Sequence, residues 1–533
     1  MIIRSPYPDV AIPVQPLTSF VLANAADEGD KPALIDGASG RRLIYAQLVA
    51  DVRRLAVGLT ERGFARGDVF AIYCPNLPEY AVAFLGVAAL GGIVTTANPL
   101  YTADELAYQL ADTGALYLLT TPQLLDTARD AVARCALVRE IFVLGDAPDA
   151  PGATPFAALL THDGPLPATP IDPRADLVAL PYSSGTSGRP KGVMLTHYNL
   201  VAQLCQIDAV QYSDETMIAV LPFFHIYGMA LILLLSLRHT GTLVLLARFD
   251  LEQFLRCLQD YGIQRAPLVP PVILALAKHP LVDAYTYPRL RIITAGAAPL
   301  GADLERACAA RLGCLVLQGY GMTETAGATH VTPDPARRAD GSGVRAGSCG
   351  PTLPNMETLV VDLSSGEALG PHAQGEIWLR GPNVMQGYLH QPEATAQALD
   401  ADGWLHTGDV GYVDEAGYLY VVDRVKELIK YNAYQVAPAE LEALLVTHPA
   451  IADAAVIPSP DEEVGEVPKA VLVLGAPLTP EEIMAFVAAR VAPYKKVRRV
   501  EIVEAIPRST SGKILRRVLI ERERAARAAL DPA

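Results

Sequence analysis

The sequence predicts an α/β fold: a large N-terminal domain of α/β layers with a β subdomain, followed by a smaller α+β domain. Over roughly the first 300 residues, short apolar runs alternate with helix-like stretches, which is typical of layered sheets with mostly parallel strands. Beyond them, strand-like runs follow one another across Gly-rich turns, which is typical of antiparallel sheets. The chain of 533 residues also exceeds one compact core, since domains usually contain about 100–200 residues.

The N-terminal region shows the strand–helix alternation most clearly. Helical apolar patterns are predicted at Glu79–Leu90 and Gln123–Ala133, each after a strand candidate. The strand candidates are Val69–Cys74, Tyr117–Thr120, Thr216–Leu221, Thr242–Leu246 and Leu290–Ala295. Gly145–Pro173, rich in Pro, Ala and Asp, is predicted to be a loop between lobes. Met229–Leu237 is predicted to be a buried helix, because a membrane span needs about 20 apolar residues.

The pattern changes at about residue 347. Residues 347–422 are predicted to form the antiparallel β subdomain, with strands at Glu357–Val361, Gly375–Arg380 and Leu419–Val422. A short mixed pattern then predicts the α+β domain, with helices at Pro438–Thr447 and Pro480–Val491 and strands at Ala454–Pro458 and Ala470–Leu474. The predicted domains therefore span residues 1–422 and 423–533.

Composition argues against several classes of function. The net charge of −15 disfavours nonspecific binding to nucleic acid or membrane surfaces, and it requires that an anionic substrate be held by local donors. The seven cysteines, an odd number without a CxxC pair, disfavour a disulfide framework or a zinc site. The same cysteine usage fits a reducing, cytoplasmic environment. With 51% hydrophobic residues, the chain can fill large cores.

The strongest local signal is a run of small hydroxyl residues and glycines with basic residues among them. The run Tyr182–Gly192 follows an apolar stretch and precedes a helix-like segment. Glycines let backbone N–H groups approach an anion closely, while hydroxyls and a lysine add donors and positive charge. The run is not a GxxxxGK[ST] loop, because Gly192 follows Lys191. It predicts a polyphosphate site formed by Ser183, Ser184, Gly185, Thr186, Ser187, Gly188 and Lys191.

This run resembles the signature loop of the adenylate-forming superfamily of acyl-CoA ligases, luciferases and peptide-synthetase adenylation domains. Five further runs resemble that superfamily's motifs, in its order and across nearly the whole chain. They are Leu221–Gly228, Gln318–Glu324, Trp404–Asp409, Asp423–Lys430 and Pro507–Ile514. In detail, the sequence is most similar to bacterial 4-coumarate–CoA ligase-like enzymes.

The resemblance implies a two-step reaction that uses ATP, Mg²⁺ and coenzyme A. A carboxylic acid attacks the α-phosphorus of ATP to form an acyl-adenylate, and the acyl group then passes to the thiol of coenzyme A. Because two anions meet in the first step, positive charge and N–H dipoles are needed where negative charge builds up. The resemblance assigns this charge to Lys513, and it implies catalytic roles for His225, Lys430 and Gln435.

The resemblance also assigns residues to the nucleotide, the metal and the domain movement. Glu324 is expected to hold Mg²⁺, a hard cation that prefers carboxylate and phosphate oxygens. The nucleotide is expected to contact Gln318, Gly319 and Tyr320 at adenine, Thr323 at phosphate, and Asp409 and Arg424 at ribose. Asp423 matches the hinge about which a mobile C-terminal domain rotates between the two steps.

The acyl pocket carried over from the coumarate ligases consists mostly of small or apolar residues: Ile226, Tyr227, Leu231, Thr294, Ala297, Gly319, Gly321, Gly327 and Ala328. It predicts an uncharged aromatic acid, similar to cinnamate or coumarate, or a medium-chain aliphatic acid. Gly327-Ala328 stands where a coumarate ligase typically has Pro-Val, which predicts a roomier floor. Asn432-Ala433 departs from the Lys-Gly pair usual in the ligases' thiol tunnel. Three interpretations stay open: the change is benign, alanine's methyl narrows the path of the thiol, or the acceptor is a different one.

Three alternatives stand beside a coenzyme A ligase. A free-standing adenylation enzyme could load a carrier protein, although the Asp that amino-acid activators use is missing from Phe223–Tyr227. A luciferase-like oxygenase would use the same adenylate. A silent nucleotide-binding module should have lost Lys513, Glu324 or Asp409, and the sequence contains all three.

Overall fold

The structure is a computed structural model that describes residues 1–145, 151–183, 190–211, 215–335, 344–431, 434–461, 463–510 and 512–530, the side chains of residues 527–530 excepted. Its helices are α1 (Leu17–Val21), α2 (Tyr45–Glu61), α3 (Pro78–Ala89), α4 (Ala103–Thr113), α5 (Leu125–Val132), α6 (His197–Asp208), α7 (Leu235–Arg238), α8 (Leu251–Asp260), α9 (Pro270–Lys278), α10 (Ala302–Leu312), α11 (Pro392–Ala398), α12 (Pro438–Leu445), α13 (Pro480–Ala488) and α14 (Arg516–Leu530).

The strands of the first three hundred residues are β1 (Ile3–Arg4), β2 (Pro32–Asp36), β3 (Arg42–Ile44), β4 (Val69–Tyr73), β5 (Ile93–Thr96), β6 (Ala115–Thr120), β7 (Glu140–Val143), β8 (Thr154–Pro155), β9 (Leu177–Ser183), β10 (Lys191–Thr196), β11 (Thr216–Ala219), β12 (Thr242–Leu245), β13 (Arg265–Leu268) and β14 (Ile292–Ala295). Those that follow are β15 (Leu315–Met322), β16 (Gly327–Val331), β17 (Gly350–Pro351), β18 (Glu357–Val361), β19 (Gly375–Arg380), β20 (Gly387–Tyr388), β21 (Leu405–Val413), β22 (Tyr418–Arg424), β23 (Ile429–Tyr431), β24 (Tyr434–Val436), β25 (Ile451–Asp461), β26 (Gly465–Leu474) and β27 (Arg499–Ile502).

Two eight-stranded sheets form the large N-terminal domain. One runs β20-β10-β9-β5-β4-β6-β7-β8 and the other β16-β15-β14-β13-β11-β12-β2-β3. The pairs β9–β5–β4–β6–β7 and β15–β14–β13–β11–β12–β2 are parallel, and the outer strands β10, β16 and β3 run antiparallel to their neighbours. This confirms the prediction of largely parallel α/β layers.

An antiparallel sheet and a small mixed sheet complete the fold. The antiparallel sheet runs β1-β18-β19-β21-β22-β17, so the predicted β subdomain also takes up β1 from the N-terminus. The C-terminal sheet runs β24-β23-β26-β25, with β27 beside β26, and helices α12 and α13 pack on it. The predicted boundary at residue 423 lies within β22, one residue before that strand ends.

The predicted loop at Gly145–Pro173 is wrong in part. Within the described residues, β8 pairs in parallel with β7 at the edge of the first sheet, and a 3₁₀ helix follows at Phe156–Thr161. Phe156 and Leu159 are buried, and this apolar packing keeps the segment on the core despite its loop-like composition.

The predicted buried helix at Met229–Leu237 is confirmed. A π-helix spans Tyr227–Leu234 and continues directly into α7. Apolar side chains occupy all of its faces and most are buried, which is typical of a helix inside a core. Among the described residues, no helix combines the length and the apolar character needed to cross a membrane.

The parallel strands bring several sequence runs to one edge. In open α/β sheets, ligands bind beyond the carboxyl ends of the strands. Strand β14 ends at Ala295, where β15 continues from Gln318 past the edge as an antiparallel partner of β16. Strands β9 and β11 end in front of the phosphate-loop run and the run Leu221–Gly228. The predicted motifs therefore meet because of the sheet order, although they lie far apart in sequence.

Two buried histidines make stability depend on pH. His330 lies between the sheets with Nε2 at 3.2 Å from the Thr352 hydroxyl and 3.1 Å from the Thr358 hydroxyl. His197 accepts the Leu17 N–H at Nδ1, 3.1 Å away. Burial lowers the pKa of His330 to about 3 and that of His197 to about 4, so both rings are neutral in the folded protein.

Stability is expected to fall as the pH drops below the usual histidine pKa of 6.5. The unfolded chain then binds protons at these rings, whereas the folded chain does not. By pH 5 this lowers the free energy of unfolding by about 2 kcal/mol for each ring. Urea unfolding at pH 7.5 and 5.0 should therefore show a loss of unfolding free energy that is about 2 kcal/mol smaller in His330→Gln than in the wild type. Equal losses in both proteins would contradict the neutral ring at His330.

Candidate active site

A cleft of about 1680 Å³ contains most of the predicted site residues. Its walls come from both eight-stranded sheets, from the antiparallel sheet and from the C-terminal region. Lys513 enters it from the lysine-loop run, while Tyr320 and Glu324 belong to the edge beyond β15. The cleft lies between domains, which is a common position for a substrate site.

Asp409 is held at the cleft by two neighbours. The Tyr320 hydroxyl donates to Asp409 Oδ2 at 2.6 Å, and Arg424 Nε donates to Oδ1 at 3.2 Å. Asp409 and Arg424 face each other across the β21–β22 pairing, so strand register itself sets this ion pair. Burial and the neighbouring carboxylate raise the pKa of Tyr320 well above its usual value, so the phenol keeps its proton and donates. The fixed carboxylate can accept hydroxyl hydrogens from a sugar.

The lysine loop is braced from within the C-terminal region. Arg508 Nη1 donates to the Gly512 carbonyl at 2.9 Å, and Arg508 Nη2 donates to Asp453 at 2.7 Å. The Lys513 N–H donates to Ser509 Oγ at 3.1 Å. Burial lowers the pKa of Lys513, with Arg424 acting in the same direction and the Asp409 and Glu324 carboxylates opposing it. The Lys513 ammonium thus shares the cleft with the Asp409–Arg424 ion pair and with Glu324.

Glu324 forms the second charged point of the cleft. Its carboxylate is buried and accepts the Tyr388 hydroxyl at Oε1, 2.9 Å away. The Lys191 ammonium lies 4.7 Å from the centre of the Tyr388 ring. Tyr388 therefore links the carboxylate to the lysine of the phosphate-loop run, by a hydrogen bond on one side and a cation–π contact on the other.

The donors around Glu324 fit Mg²⁺. Among the described residues, no group of three His, Cys, Asp or Glu side chains is arranged to hold a metal. Mg²⁺ is commonly held by one or two carboxylates together with substrate phosphates and water, rather than by a full protein cage. Glu324, with the Thr323 hydroxyl as its neighbour in the cleft, supplies such a partial set. Bound there, Mg²⁺ would neutralise phosphate charge.

His225 is a neutral ring beside Lys513. Burial lowers the pKa of His225 to about 3, and the Lys513 ammonium adds to that shift. The Tyr227 N–H donates to His225 Nδ1 at 3.3 Å, so the ring proton belongs on Nε2. His225 can therefore donate one hydrogen bond, and it cannot supply a positive charge near neutral pH.

The apolar wall of the cleft is built around Tyr227. The Tyr227 hydroxyl donates to the Thr294 carbonyl at 2.9 Å. A Cβ at Gly296 would lie 2.8 Å from the Tyr227 ring, so only glycine admits this approach. Arg265 also lines the cleft, with its charge balanced by Glu215 at 2.7 Å and Asp334 at 2.9 Å.

The predicted acyl-pocket residues all line the cleft, namely Ile226, Tyr227, Leu231, Thr294, Ala297, Gly319, Gly321, Gly327 and Ala328. Ser183, Lys191, Tyr320, Thr323, Glu324, Asp409, Asp423, Arg424, His225 and Lys513 line it too. Ser184, Gly185, Thr186, Ser187, Gly188, Asn432 and Ala433 lie outside the described residues.

Three predicted residues lie away from the cleft lining. The Gln318 side chain donates to the Leu300 carbonyl at 3.1 Å and to Glu305 at 2.6 Å. It therefore ties β15 to α10 and to the segment before that helix. Lys430 and Gln435 face each other on the exposed β23–β24 hairpin.

Asp423 fixes the start of the C-terminal helix α12. Its Oδ1 accepts the N–H of the next residue, Arg424, at 2.8 Å, and its Oδ2 accepts the Ala439 N–H at 2.9 Å. Ala439 lies in the first turn of α12, where a carboxylate satisfies a free N–H and favours the helix dipole. Burial raises the pKa of Asp423, and Arg516 opposes that shift.

Sequence reasoning missed Tyr388 and Arg516. Arg516 follows the lysine loop and binds Glu427 at 2.6 Å and Glu442 at 2.7 Å. The signal for Arg516 was a basic residue three positions after Lys513, directly before a charged helix. Tyr388 carried no comparable signal, because Lys191 reaches it through the pairing of β10 and β20, and Glu324 is held near it by the hydrogen bond from the Met385 N–H to the Glu324 carbonyl.

Comparison with known proteins shows the family of this chain. The AMP-binding enzyme family matches residues 21–389, and the AMP-binding enzyme C-terminal domain matches residues 440–513. A 4-coumarate–CoA ligase of Pinus taeda is 43% identical over 97% of each chain. 4-Coumarate–CoA ligase 5 of Oryza sativa subsp. japonica is 42% identical over 97% of this chain and 96% of that one. These relatives are plant enzymes, whereas the sequence was expected to be most similar to bacterial ones.

Solved structures share the whole architecture. ATP-bound MatB from Rhodopseudomonas palustris is 30% identical, covers 96% of this chain and 99% of its own, and superimposes with a TM-score of 0.85. The anthranilate CoA ligase AuaEII, in complex with anthranoyl-AMP, is 24% identical over 97% and 99% of the two chains, with a TM-score of 0.88, and shows the fold alone. The chain therefore belongs to the AMP-binding enzyme family, and it is an acid–thiol ligase that activates its acid with ATP and forms a coenzyme A thioester.

Proposed function

We propose that the enzyme activates a hydroxylated aromatic acid of the 4-coumarate class and passes its acyl group to coenzyme A. The observation that carries this proposal is the meeting of Lys513, Asp409 and Arg424 in one cleft with an apolar wall around Tyr227. The relatives in Pinus taeda and Oryza sativa are named as 4-coumarate–CoA ligases, which agrees with an aromatic acid.

In the first step, a carboxylate oxygen attacks the α-phosphorus of ATP and pyrophosphate leaves. The Lys513 ammonium balances the charge that gathers between carboxylate and phosphate. His225 donates its Nε2 hydrogen to the incoming carboxylate and keeps it oriented. Glu324 and Thr323 are the residues proposed to hold Mg²⁺ and phosphate, and Asp409 accepts the ribose hydroxyls.

The acid is proposed to be uncharged beyond its carboxylate and to carry a ring hydroxyl. Arg265 is already neutralised by Glu215 and Asp334, so the cleft does not call for a second carboxylate on the acid. Thr294 Oγ1 is buried and accepts no hydrogen bond within the described part of the chain. A buried hydroxyl without a partner is costly, and a polar group on the ring would satisfy it. The first feature disfavours a dicarboxylic acid, and the second favours 4-coumarate over cinnamate or a fatty acid.

The second step is proposed to need a different arrangement of the C-terminal domain. Lys513 lies in the cleft, whereas Lys430 and Gln435 are on an exposed hairpin of the same domain. If all three act, they must act at different times, which supports rotation about Asp423 between adenylation and thioester formation. The thiol then attacks the acyl carbonyl and AMP leaves.

Thr294→Val is expected to remove a preference for 4-coumarate over cinnamate. In the wild type, kcat/KM should be about tenfold higher for 4-coumarate, the equivalent of one buried hydrogen bond. The valine variant, matched in shape, should treat the two acids equally and keep its activity on cinnamate. Equal kcat/KM values for both acids in the wild type would contradict a hydroxyl partner at Thr294.

The function itself is tested by product analysis with purified protein, ATP and Mg²⁺. The panel comprises cinnamate, 4-coumarate, benzoate, octanoate and an amino acid, each with and without coenzyme A. Pyrophosphate, AMP and a coumaroyl thioester that needs coenzyme A are the expected products. Adenylate without any thioester would favour a carrier protein as acceptor, and it would indicate that Asn432-Ala433 alters the path of the thiol. Preference for octanoate would overturn the aromatic class.

We also propose a cytoplasmic location. All seven cysteines are unpaired, and all are buried or half-buried. Unpaired thiols persist in a reducing compartment, where ATP and coenzyme A are available.

A further inference from the structure

The two parts of the molecule also touch at the C-terminal end of α9, through the Lys278 side chain, which does not line the cleft. Lys278, the last residue of α9, donates from Nζ to the Val446 carbonyl at 2.7 Å and to the Ile451 carbonyl at 2.9 Å. Both carbonyls belong to the C-terminal region, beyond Asp423. Desolvation lowers the pKa of Lys278, which agrees with an ammonium held against backbone rather than in free water.

This contact uses the electrostatics of α12. Val446 is the C-cap residue directly after α12, where the free carbonyls carry the negative end of the helix dipole. An ammonium at that position compensates the dipole and satisfies an otherwise free acceptor. The N-terminal region therefore holds α12 by its C-terminal end.

A second contact lies along the same helix. A Cβ at Gly301 would be only 3.0 Å from the Ala443 Cβ of α12. Gly301 precedes α10 with an ordinary φ of −66°, so its backbone does not require glycine. The absence of a side chain instead allows α12 to approach closely. We term Lys278 and Gly301 together the α12 docking point.

The α12 docking point is connected to the lysine loop. Both carboxylate oxygens of Glu442 in α12 accept hydrogen bonds from Arg516 Nη2, at 2.8 and 2.7 Å. Arg516 lies three residues after Lys513. Ile451 begins β25, whose Asp453 binds the Arg508 that braces Gly512. A shift of α12 must therefore move the loop that carries Lys513.

We infer that Lys278 and Gly301 are positioning residues that hold the C-terminal domain in the adenylate-forming arrangement. The inference rests on the proposed alternation between two arrangements. Neither residue is proposed to touch the reacting atoms. Both act through α12 on the position of Lys513, and the docking point must separate when the domain rotates for the thiol step.

Lys278→Met is the first variant to test. Formation of the acyl-adenylate, measured in a single turnover without coenzyme A, is expected to slow about three- to tenfold, the worth of hydrogen bonds lost at a partly exposed site. Transfer to coenzyme A from supplied acyl-adenylate should keep the wild-type rate or exceed it. Lys278→Arg, which keeps the charge and the donors, should restore adenylation.

Two further variants separate docking from a general loss of stability. Gly301→Leu places a side chain against Ala443 and should show the same split between the two half-reactions. Arg490→Met removes a donor from the Phe486 carbonyl of α13, 2.9 Å away, but both residues lie beyond Asp423 and outside the cleft lining. This control should leave both half-reactions unchanged.

A disulfide gives a readout that does not depend on activity. The Cβ atoms of Gly301→Cys and Ala443→Cys would lie 3.0 Å apart in this arrangement, about 0.5 Å below the short end of disulfide spacing, so a slight outward shift of α12 would allow the bond. Oxidation should cross-link them, retain adenylation and block thioester transfer, and a reductant should reverse the block. Lys278→Met should slow the cross-linking.

The outcomes distinguish the docking inference from the proposed function. If the wild type forms no acyl-coenzyme A from any acid, the proposed function fails first. If it does, but Lys278→Met slows both half-reactions equally or the cross-link leaves transfer intact, the docking inference is wrong while the function stands.

Discussion

Lys513→Met is expected to lower the rate of acyl-adenylate formation on the order of 10²- to 10³-fold, the usual cost of removing one donor that stabilises charge in a transition state. The reason lies in the cleft, where the Lys513 ammonium shares a desolvated space with Asp409 and Glu324. Methionine keeps the length and the apolar stem of the side chain and removes only the charge. Binding of ATP itself should change much less.

The measurement is single-turnover formation of the adenylate, followed as pyrophosphate release. The same variant supplies its own control: thioester formation from added acyl-adenylate and coenzyme A should keep nearly its wild-type rate, because Lys513 is proposed to leave the cleft for that step. If both half-reactions fall together, Lys513 does not act in adenylation alone and the alternation between arrangements fails.

Asp409→Asn is expected to weaken equilibrium binding of ATP by about 10- to 100-fold, the worth of a hydrogen bond to a charged group. The carboxylate accepts the Tyr320 hydroxyl at 2.6 Å and the Arg424 guanidinium at 3.2 Å, and an amide cannot balance that guanidinium. AMP, which keeps the ribose and lacks the β- and γ-phosphates, should lose affinity by the same factor. The maximal rate at saturating ATP should change less than the affinity.

A matched control is available in the same hairpin. Asp414 is a buried carboxylate at the turn between β21 and β22, where it accepts the Ala416 and Tyr418 N–H groups at 3.0 Å. It lies outside the cleft lining. Asp414→Asn should therefore leave nucleotide affinity unchanged, even if it lowers stability. Equal losses of affinity in both variants would remove the ribose role from Asp409.

The sequence alone predicted most elements because each one has a local cause. Alternating or continuous apolar runs gave β18 and β19 their observed bounds, and Pro438 and Pro480 mark the first turns of α12 and α13. The segment at Thr154–Pro155 was missed, because its strand depends on pairing with β7 and its own composition is typical of a loop.

The candidate site divides in the same way. The resemblance of the motifs singled out Lys513, Asp409, Glu324 and His225, and all four line the cleft, while their roles stay predictions. Tyr388 was missed, because its role depends on reaching Glu324 on one side and Lys191 on the other. Gln318 was expected at adenine, but its side chain turns to Glu305 instead, a direction that no sequence pattern records.

The sequence by itself therefore determined the family and the two-step chemistry, and it supplied most of the charged candidates for the site, because motifs encode local chemistry. Only the tertiary structure decided which of them share the cleft: Lys513 lies in it, while Lys430 and Gln435 lie on an exposed hairpin. It also decided that Lys278 meets the end of α12. The physical reason is that these relations depend on how separately folded regions contact each other, and such contacts join residues more than a hundred positions apart.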